Sequence, residues 1–225
     1  MVFSWSRCKK SLQSVPELLS HFALPLIGMH LINMGFNQSM IVLQEFRMEA
    51  KSDSYIPQMF AIAFVGFLLQ SLFKVISVLL ISYHFSNKSS LLPYLKKYTE
   101  LGLIESLRAF FQAVLWGFLF VIPGIVKMIR YQFVIYIVAA SKKYEAGDLE
   151  ALDASEKLTQ GRFWSLTSLI LILATAAFAM STSQSILSAP FEVLILEAIG
   201  FFFICWQGLY LFFLFQDLYR QQELK

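Results

Sequence analysis

Charge is what this chain has least of. Only 15% of its 225 residues are Asp, Glu, Lys or Arg, against about 25% in an average soluble domain, and the net formal charge is +3. No block of Lys or Arg is dense enough to track a phosphate backbone, which excludes nucleic acid as a partner. Cysteine is nearly absent: Cys8 lies in a polar N-terminal segment and Cys205 inside an apolar run. The two belong to different levels, so no disulfide framework is available. The three histidines, His21, His30 and His84, read as interfacial or bundle residues too far apart in span and depth to share a metal. Gly-x-Ser-x-Gly, His-Glu-x-x-His and phosphate-loop patterns are missing, and Asp148 and Asp217 fall in a polar loop and at a helix end. An intramembrane aspartyl protease needs paired aspartates inside its helices, so no catalytic set is present. The expectation is a protein that is no enzyme and needs neither cofactor nor metal.

Apolar surface fills the chain instead. Hydrophobic residues make up 57% and aromatic residues 16%, with 23 Phe against ten Gly and six Pro, and the mean hydropathy is +0.63. Its long uncharged runs meet the roughly 18-residue criterion for crossing a bilayer. The fold class expected is all-α, a polytopic transmembrane bundle of about six helices, with the lipid bilayer as its first partner.

The predicted spans cover residues 21–43, 58–85, 103–122, 125–140, 163–180 and 191–215, within one bundle domain of residues 21–218. Residues 1–20 alternate Phe3, Trp5, Leu12 and Val15 with Arg7, Lys9 and Lys10, the pattern of a segment at the membrane interface. Arg7, Lys9 and Lys10 precede an apolar stretch as in a signal peptide, but His21, His30 and Asn33 interrupt it and no Ala-x-Ala site follows. It reads as a retained first helix. Residues 86–100 read as a polar connection and 219–225 as a short tail. Asn37-Gln38-Ser39 and Asn87-Lys88-Ser89 match a glycosylation acceptor, but they fall in membrane or cytoplasm.

Orientation follows from Lys and Arg. Arg7, Lys9, Lys10, Lys88, Lys96, Lys97, Lys142, Lys143, Lys157, Arg162, Arg220 and Lys225 fall on the N-terminal side, and Arg47 and Lys51 on the other. Both termini are therefore expected in the cytoplasm.

Between the third and fourth spans lies Pro123-Gly124, a dipeptide typical of tight turns, here read as an outer hairpin turn. Asp148 is placed to cap a short cytoplasmic helix, with Leu149, Leu152 and Leu158 inward and Glu150, Asp153, Glu156 and Lys157 outward. Gly161 is placed to end it.

Four charges fall at membrane depth: Lys74, Arg108, Arg130 and Glu197. Such charges are functional candidates by default. Glu197 and Arg130 lie at similar distances from the outer turns and form a candidate pair if the fourth and sixth helices touch; otherwise Arg130 snorkels or fixes packing while Glu197 is protonated or reaches the interface. Arg108 has Glu105 one turn earlier. Lys74 has Gln70 beside it and no obvious partner. Thr175, Ala179 and Ser183, at four-residue spacing, read as a close-packing helix face, and Trp116, Phe118, Phe120 and Phe201 to Phe203 as lipid-facing or core aromatics.

With those residues in view, the chain resembles the DUF975 and YciC-type families of bacterial inner-membrane proteins. The likeness rests on Ile122-Pro123-Gly124, Arg130-Tyr131 and the run Ala151-Leu152-x-x-Ser155-x-x-Leu158-x-x-Gly161-x-x-Trp164, and on the ending Leu211 to Leu218 with Asp217. It implies a bacterial cytoplasmic-membrane protein with about six helices, and carries neither an activity nor a binding residue. In that family a proline often follows the Arg-Tyr pair; here residues 133–137 have none, so the fourth helix should be straighter. On the residues the function expected is a non-catalytic scaffold or regulatory component that contacts other membrane proteins or itself, since the loops are short and no large extramembrane domain is present; the alternative is a solute or lipid transporter with an inward cavity lined by Asn33, Asn37, Gln70, Lys74 and Gln207.

Overall fold

The computed structural model describes residues 4–50, 56–85, 90–186 and 190–223. Among these every regular element is helical: α1 (Trp5–Ala50), α2 (Ile56–His84), α3 (Leu91–Leu119), α4 (Val121–Arg130), α5 (Val134–Ala140), α6 (Lys142–Glu145), α7 (Ala151–Thr159), α8 (Phe163–Ile186) and α9 (Pro190–Glu223). Five stretches are long and apolar enough to cross a membrane: Trp5–Ile32, Ile56–His84, Leu91–Leu119, Val121–Ala140 and Ile195–Gln221. The sixth expected span lies on α8, whose apolar stretch Phe163–Ala176 is shorter.

Each helix declares its packing face by period. In α1, Val15, Leu18, Phe22 and Leu26 are buried at three- and four-residue intervals. The helix bends at Phe22, with φ −127° and ψ 17°. Pro25 has no N–H to give to the turn before it and crowds the carbonyl four residues back, which accounts for the bend. In α3 the buried stripe is Tyr94, Tyr98, Gly102, Ala109 and Ala113. That stripe begins inside the stretch expected to be a polar connection. Helix α3 in fact starts at Leu91, because Tyr94 and Tyr98 continue its apolar face past Lys96 and Lys97.

The hairpin between α3 and α4 corrects the reading of Pro123-Gly124 as its turn. Phe120 makes the reversal in extended conformation, with φ −155° and ψ 128°. Pro123 sits in the first turn of α4, where a missing N–H leaves no intrahelical bond unmade. Gly124 is helical and donates its N–H to the Phe120 carbonyl at 3.3 Å. Its smallness serves the crossing of α3 and α4: a Cβ there would stand 2.6 Å from the Gly117 Cα and 3.0 Å from the Ala113 carbonyl oxygen.

Burial divides the bundle into two tiers. The C-terminal half of α2, α5, α7 and the last third of α9 bury a continuous core around Leu79, Phe133, Ile137, Leu158, Leu209 and Phe215, with a cavity of about 270 Å³ at its edge beside Ser82, Ser141 and Gln216. The other tier presents Phe60, Leu115, Phe118, Ile122 and Leu171 outward, as a surface bathed in lipid does. Helix α8 attaches to the bundle by Leu166, Leu169 and Leu173. Thr175 and Ala179, expected on a packing face, are instead exposed, since the leucine stripe lies on another side of the helix; the side chain of Ser183 lies outside the described residues. Trp116, Phe118 and Phe120 are exposed, as lipid-facing aromatics are.

The first turns of α1 meet the end of α9. The Ser4 N–H donates to the Tyr210 hydroxyl at 3.3 Å, Arg7 pairs with Asp217 at 3.1 Å, and the Lys10 ammonium lies 4.2 Å from the centre of the Phe213 ring. Both described ends therefore share one end of the bundle.

A methyl group at Gly124 has backbone rather than flexible side chain to displace, so Gly124→Ala is expected to destabilise the α3–α4 crossing by about 1–3 kcal/mol. Thermal unfolding in detergent checks this; an unchanged midpoint would show that the two helices separate freely.

Candidate functional site

The motif that carries the family likeness closes into one structural device. The fourth span is not straight: between α4 and α5, Tyr131–Phe133 forms a turn of 3-10 helix, although no proline is present. The cause is α7, which lies against the break. The Ser155 hydroxyl donates to the Arg130 carbonyl at 2.6 Å and accepts the Phe133 N–H at 3.3 Å. Ser155 is fully buried, so its hydroxyl adds a second partner to two backbone groups of the 3-10 turn. Ala151, Leu152, Ala154, Leu158 and Thr159 are buried beside it, while Asp153 and Lys157 are exposed.

Glu156 departs from the outward position expected for it. It turns inward to an ion pair with Lys127 and stands 3.7 Å from Arg130, and Tyr131 donates its hydroxyl to the Gln112 side-chain oxygen at 2.5 Å. Burial alone would push the Glu156 carboxyl up; hydrogen bonds with Lys127 and Tyr131 and the charges of Lys127 and Arg130 outweigh it, leaving the group below the ordinary carboxylate value. Asp148 does not cap α7. The helix starts after Glu150, which has no side-chain cap bond, because Gly147 at φ 82° ends α6 and leaves the next residues extended. Gly161, at φ 75°, follows the end of α7 in the left-handed conformation that glycine favours. Trp164 is 80% exposed, at the start of α8.

The candidate Arg130–Glu197 pair does not form. Arg130 is taken by Glu156, and Glu197 by His30, whose Nε2 is 3.1 Å from the carboxylate. The reason is packing order: α7 covers Arg130 on α4, and α9 runs beside α1. Arg108 has Glu105 and also Glu150, both at 3.7 Å. His21 and His84, expected to lie apart, are neighbours with ring centres 5.4 Å apart, and Glu17 is 3.5 Å from His84. The bend at Phe22 brings these together at the end of α2. Among the described residues no group of His, Cys, Asp and Glu side chains assembles into a metal site.

Lys74 stands elsewhere, between two cavities. One, of about 270 Å³, lies among α2, α3 and α4 with Phe67, Phe110 and Met128 in its wall. The other, of about 340 Å³, lies among α1, α2, α5 and α9. Gln70, Lys74 and Gln132 line both, so the cavities meet at a polar waist. The larger also takes in His30, Ser77, Tyr136, Cys205 and Gln207. The Tyr136 hydroxyl donates to the Gly208 carbonyl at 3.4 Å. Of the residues expected to line an inward cavity, Gln70, Lys74 and Gln207 do so; the side chains of Asn33 and Asn37 lie outside the described residues. An unpaired charge in such a place costs roughly 2.5–3.5 kcal/mol on insertion scales, and among the described residues Lys74 has no ion pair.

Sequence reasoning missed Gln132, Tyr136 and His30 as lining residues and Ser155 as a backbone partner. A glutamine following Arg130-Tyr131 inside an apolar run was the available signal for the first; the others depend on which helices meet.

Two outcomes follow. Ser155→Ala takes the hydroxyl away from the Arg130 carbonyl and the Phe133 N–H, and is expected to cost about 1–3 kcal/mol in thermal unfolding; no loss would show that the break satisfies itself. Because the Glu156 carboxyl is held low when folded, its contribution to α7 docking is present above the unfolded value of about 4.3 and fades as pH falls through the folded one. Protection of the amides of residues 151–159, taken as exchange relative to an unstructured chain at the same pH, is expected to fall on that acid side in the wild type. In Glu156→Gln protection should be lower at neutral pH and show no such fall; an equally pH-dependent variant would assign the effect to another group. Compared with protein-family models, curated proteins and solved structures, the chain finds no significant match in any of the three.

Proposed function

We propose that this multi-pass membrane protein binds an amphiphile in the cleft around Lys74, as a carrier or transporter and not as a catalyst. One observation carries the reading: Gln70, Lys74 and Gln132 line both cavities, forming a polar waist with apolar walls on either side. Ligand sites of this kind are mostly apolar, with a few convergent polar groups, and span roughly 300–1,000 Å³. The larger cavity borders Ile204, which is 54% exposed on the lipid-facing side of α9, giving a lateral path for a hydrocarbon chain.

The bias of Lys and Arg supports an orientation with both termini in the cytoplasm, and the resemblance to DUF975 and YciC-type proteins supports a bacterial cytoplasmic membrane. A second reading, a scaffold that contacts other membrane proteins or another copy, is favoured by α8. It joins the bundle by one leucine stripe and leaves Trp164, Leu171 and Ile172 exposed.

The test is a neutral diacylglycerol carrying a diazirine on its acyl chain, photolysed with the protein in phosphatidylcholine nanodiscs. Labelling is expected on cleft peptides of α2 and α9 and is expected to disappear in Ser77→Trp, which fills the cavity. Labelling spread evenly over lipid-facing helices, unchanged by Ser77→Trp, would remove the cleft as a binding site and leave the scaffold reading. A reporter fused at Gly147 should be cytoplasmic; an outward Gly147 would reverse the orientation.

A further inference from the structure

We propose that the Lys74 cleft selects an anionic amphiphile, a single carboxylate or phosphate head bearing a hydrocarbon chain. The inference rests on the amphiphile reading above and adds the charge of the head. Among the described residues lining the two cavities, Lys74 is the only Lys, Arg, Asp or Glu. The other titratable base is His30, already held by Glu197 at 3.1 Å. The acids of α3 and α7 on the other side of the bundle meet other groups: Glu105 meets Arg108 and Tyr144 through one oxygen, and Glu156 meets Lys127 and Arg130. No carboxylate of the described chain reaches Lys74, so its charge is left for a ligand to balance.

The surroundings of the ammonium fit a headgroup. The amides of Gln70 and Gln132 share the waist and supply N–H donors to anionic oxygens. Ser77, one turn along α2, adds a hydroxyl on the side of the larger cavity. A zwitterionic head would bring its own cation to a cleft whose lining has no acid to receive it, so the arrangement discriminates against phosphatidylcholine by an unpaired charge. Past the waist the wall turns apolar, with Met29, Phe201, Ile204 and Leu211. Lys74 lies ten residues from the His84 end of α2, about 15 Å along the helix. A head held there is drawn in from the end of the helix, with its chain left to run along α9.

The experiment uses the full chain in phosphatidylcholine nanodiscs and a diazirine-bearing fatty acid as probe. Wild type is expected to label on cleft peptides at probe concentrations about tenfold or more below those needed by Lys74→Gln, while Lys74→Arg stays within about threefold of wild type. Oleate should compete, and millimolar inorganic phosphate should not, because the head alone lacks the chain's contacts. Equal labelling of wild type and Lys74→Gln overturns the inference, as does a loss in Lys74→Arg as large as in Lys74→Gln, or displacement by phosphate alone. If the neutral diacylglycerol probe labels the cleft while the fatty acid shows no dependence on Lys74, charge selection fails and the amphiphile cleft stands. If neither probe labels it, both fail together. Should Lys74→Gln not fold, the wild type alone decides: oleate is expected to raise its unfolding temperature more than oleyl alcohol does, and equal shifts overturn the inference.

Discussion

The structure turns on two hydrogen bonds to one hydroxyl. A helix in an apolar environment cannot leave backbone groups open, since no water is there to take them. At the turn of 3-10 helix between α4 and α5, Ser155 from α7 accepts the Phe133 N–H and donates to the Arg130 carbonyl, adding a side-chain partner to both groups. The hydroxyl thereby clasps α7 to the break. With α7 held in place, Glu156 reaches Lys127 and Arg130, Leu152 and Leu158 complete the buried tier, and Arg162, at the exit of the clasp, donates to Gln221 near the end of α9 at 2.7 Å. The break itself places Gln132 at the waist beside Lys74, and the segment after it places Tyr136 at the wall of the larger cavity.

Burial frames the cleft. The tier around Leu79, Ile137 and Phe215 is buried, and its cavity of about 270 Å³ lies at the far edge, beside Lys142, Glu145 and Gln216. The lipid-facing tier is open, with helices presenting Phe60, Leu115 and Ile199 outward. Lys74 stands where the two meet: its neighbour Val75 is fully buried, and Phe67 two turns away is already paired with Phe110 across a cavity wall, ring centres 4.4 Å apart. A polar group at this boundary can face a cavity without disrupting the core beneath it.

The charged residues divide by whether the bundle answers them. Arg130 and Lys127 share the Glu156 carboxylate, Arg108 is flanked by two carboxylates, and His30 answers Glu197. These have structural partners and fix how helices meet. Lys74 has none among the described residues, and that difference separates a binding candidate from charges that serve the wiring of the fold.

Much of this was legible in the residues themselves. Apolar run lengths determined a helical membrane bundle, since each backbone group must be satisfied within its own segment. The spacing of Leu152 and Leu158 determined a helix with one buried face, and Gly161 its end, because both follow from local geometry. Even Glu105–Arg108, an i,i+3 pair, needed no fold to be seen. What tertiary structure alone decided were the meetings between distant segments. Pro123-Gly124 looked like a turn but serves a first helical turn and a close crossing, because the demand on Gly124 comes from Gly117 on another helix. Glu197 was matched by depth to Arg130, yet α7 had already claimed that guanidinium; depth along a span does not specify which helices touch. The polar waist of Gln70, Lys74 and Gln132 joins residues far apart in the chain, and only the packing of α2 against the broken fourth span places them on one surface.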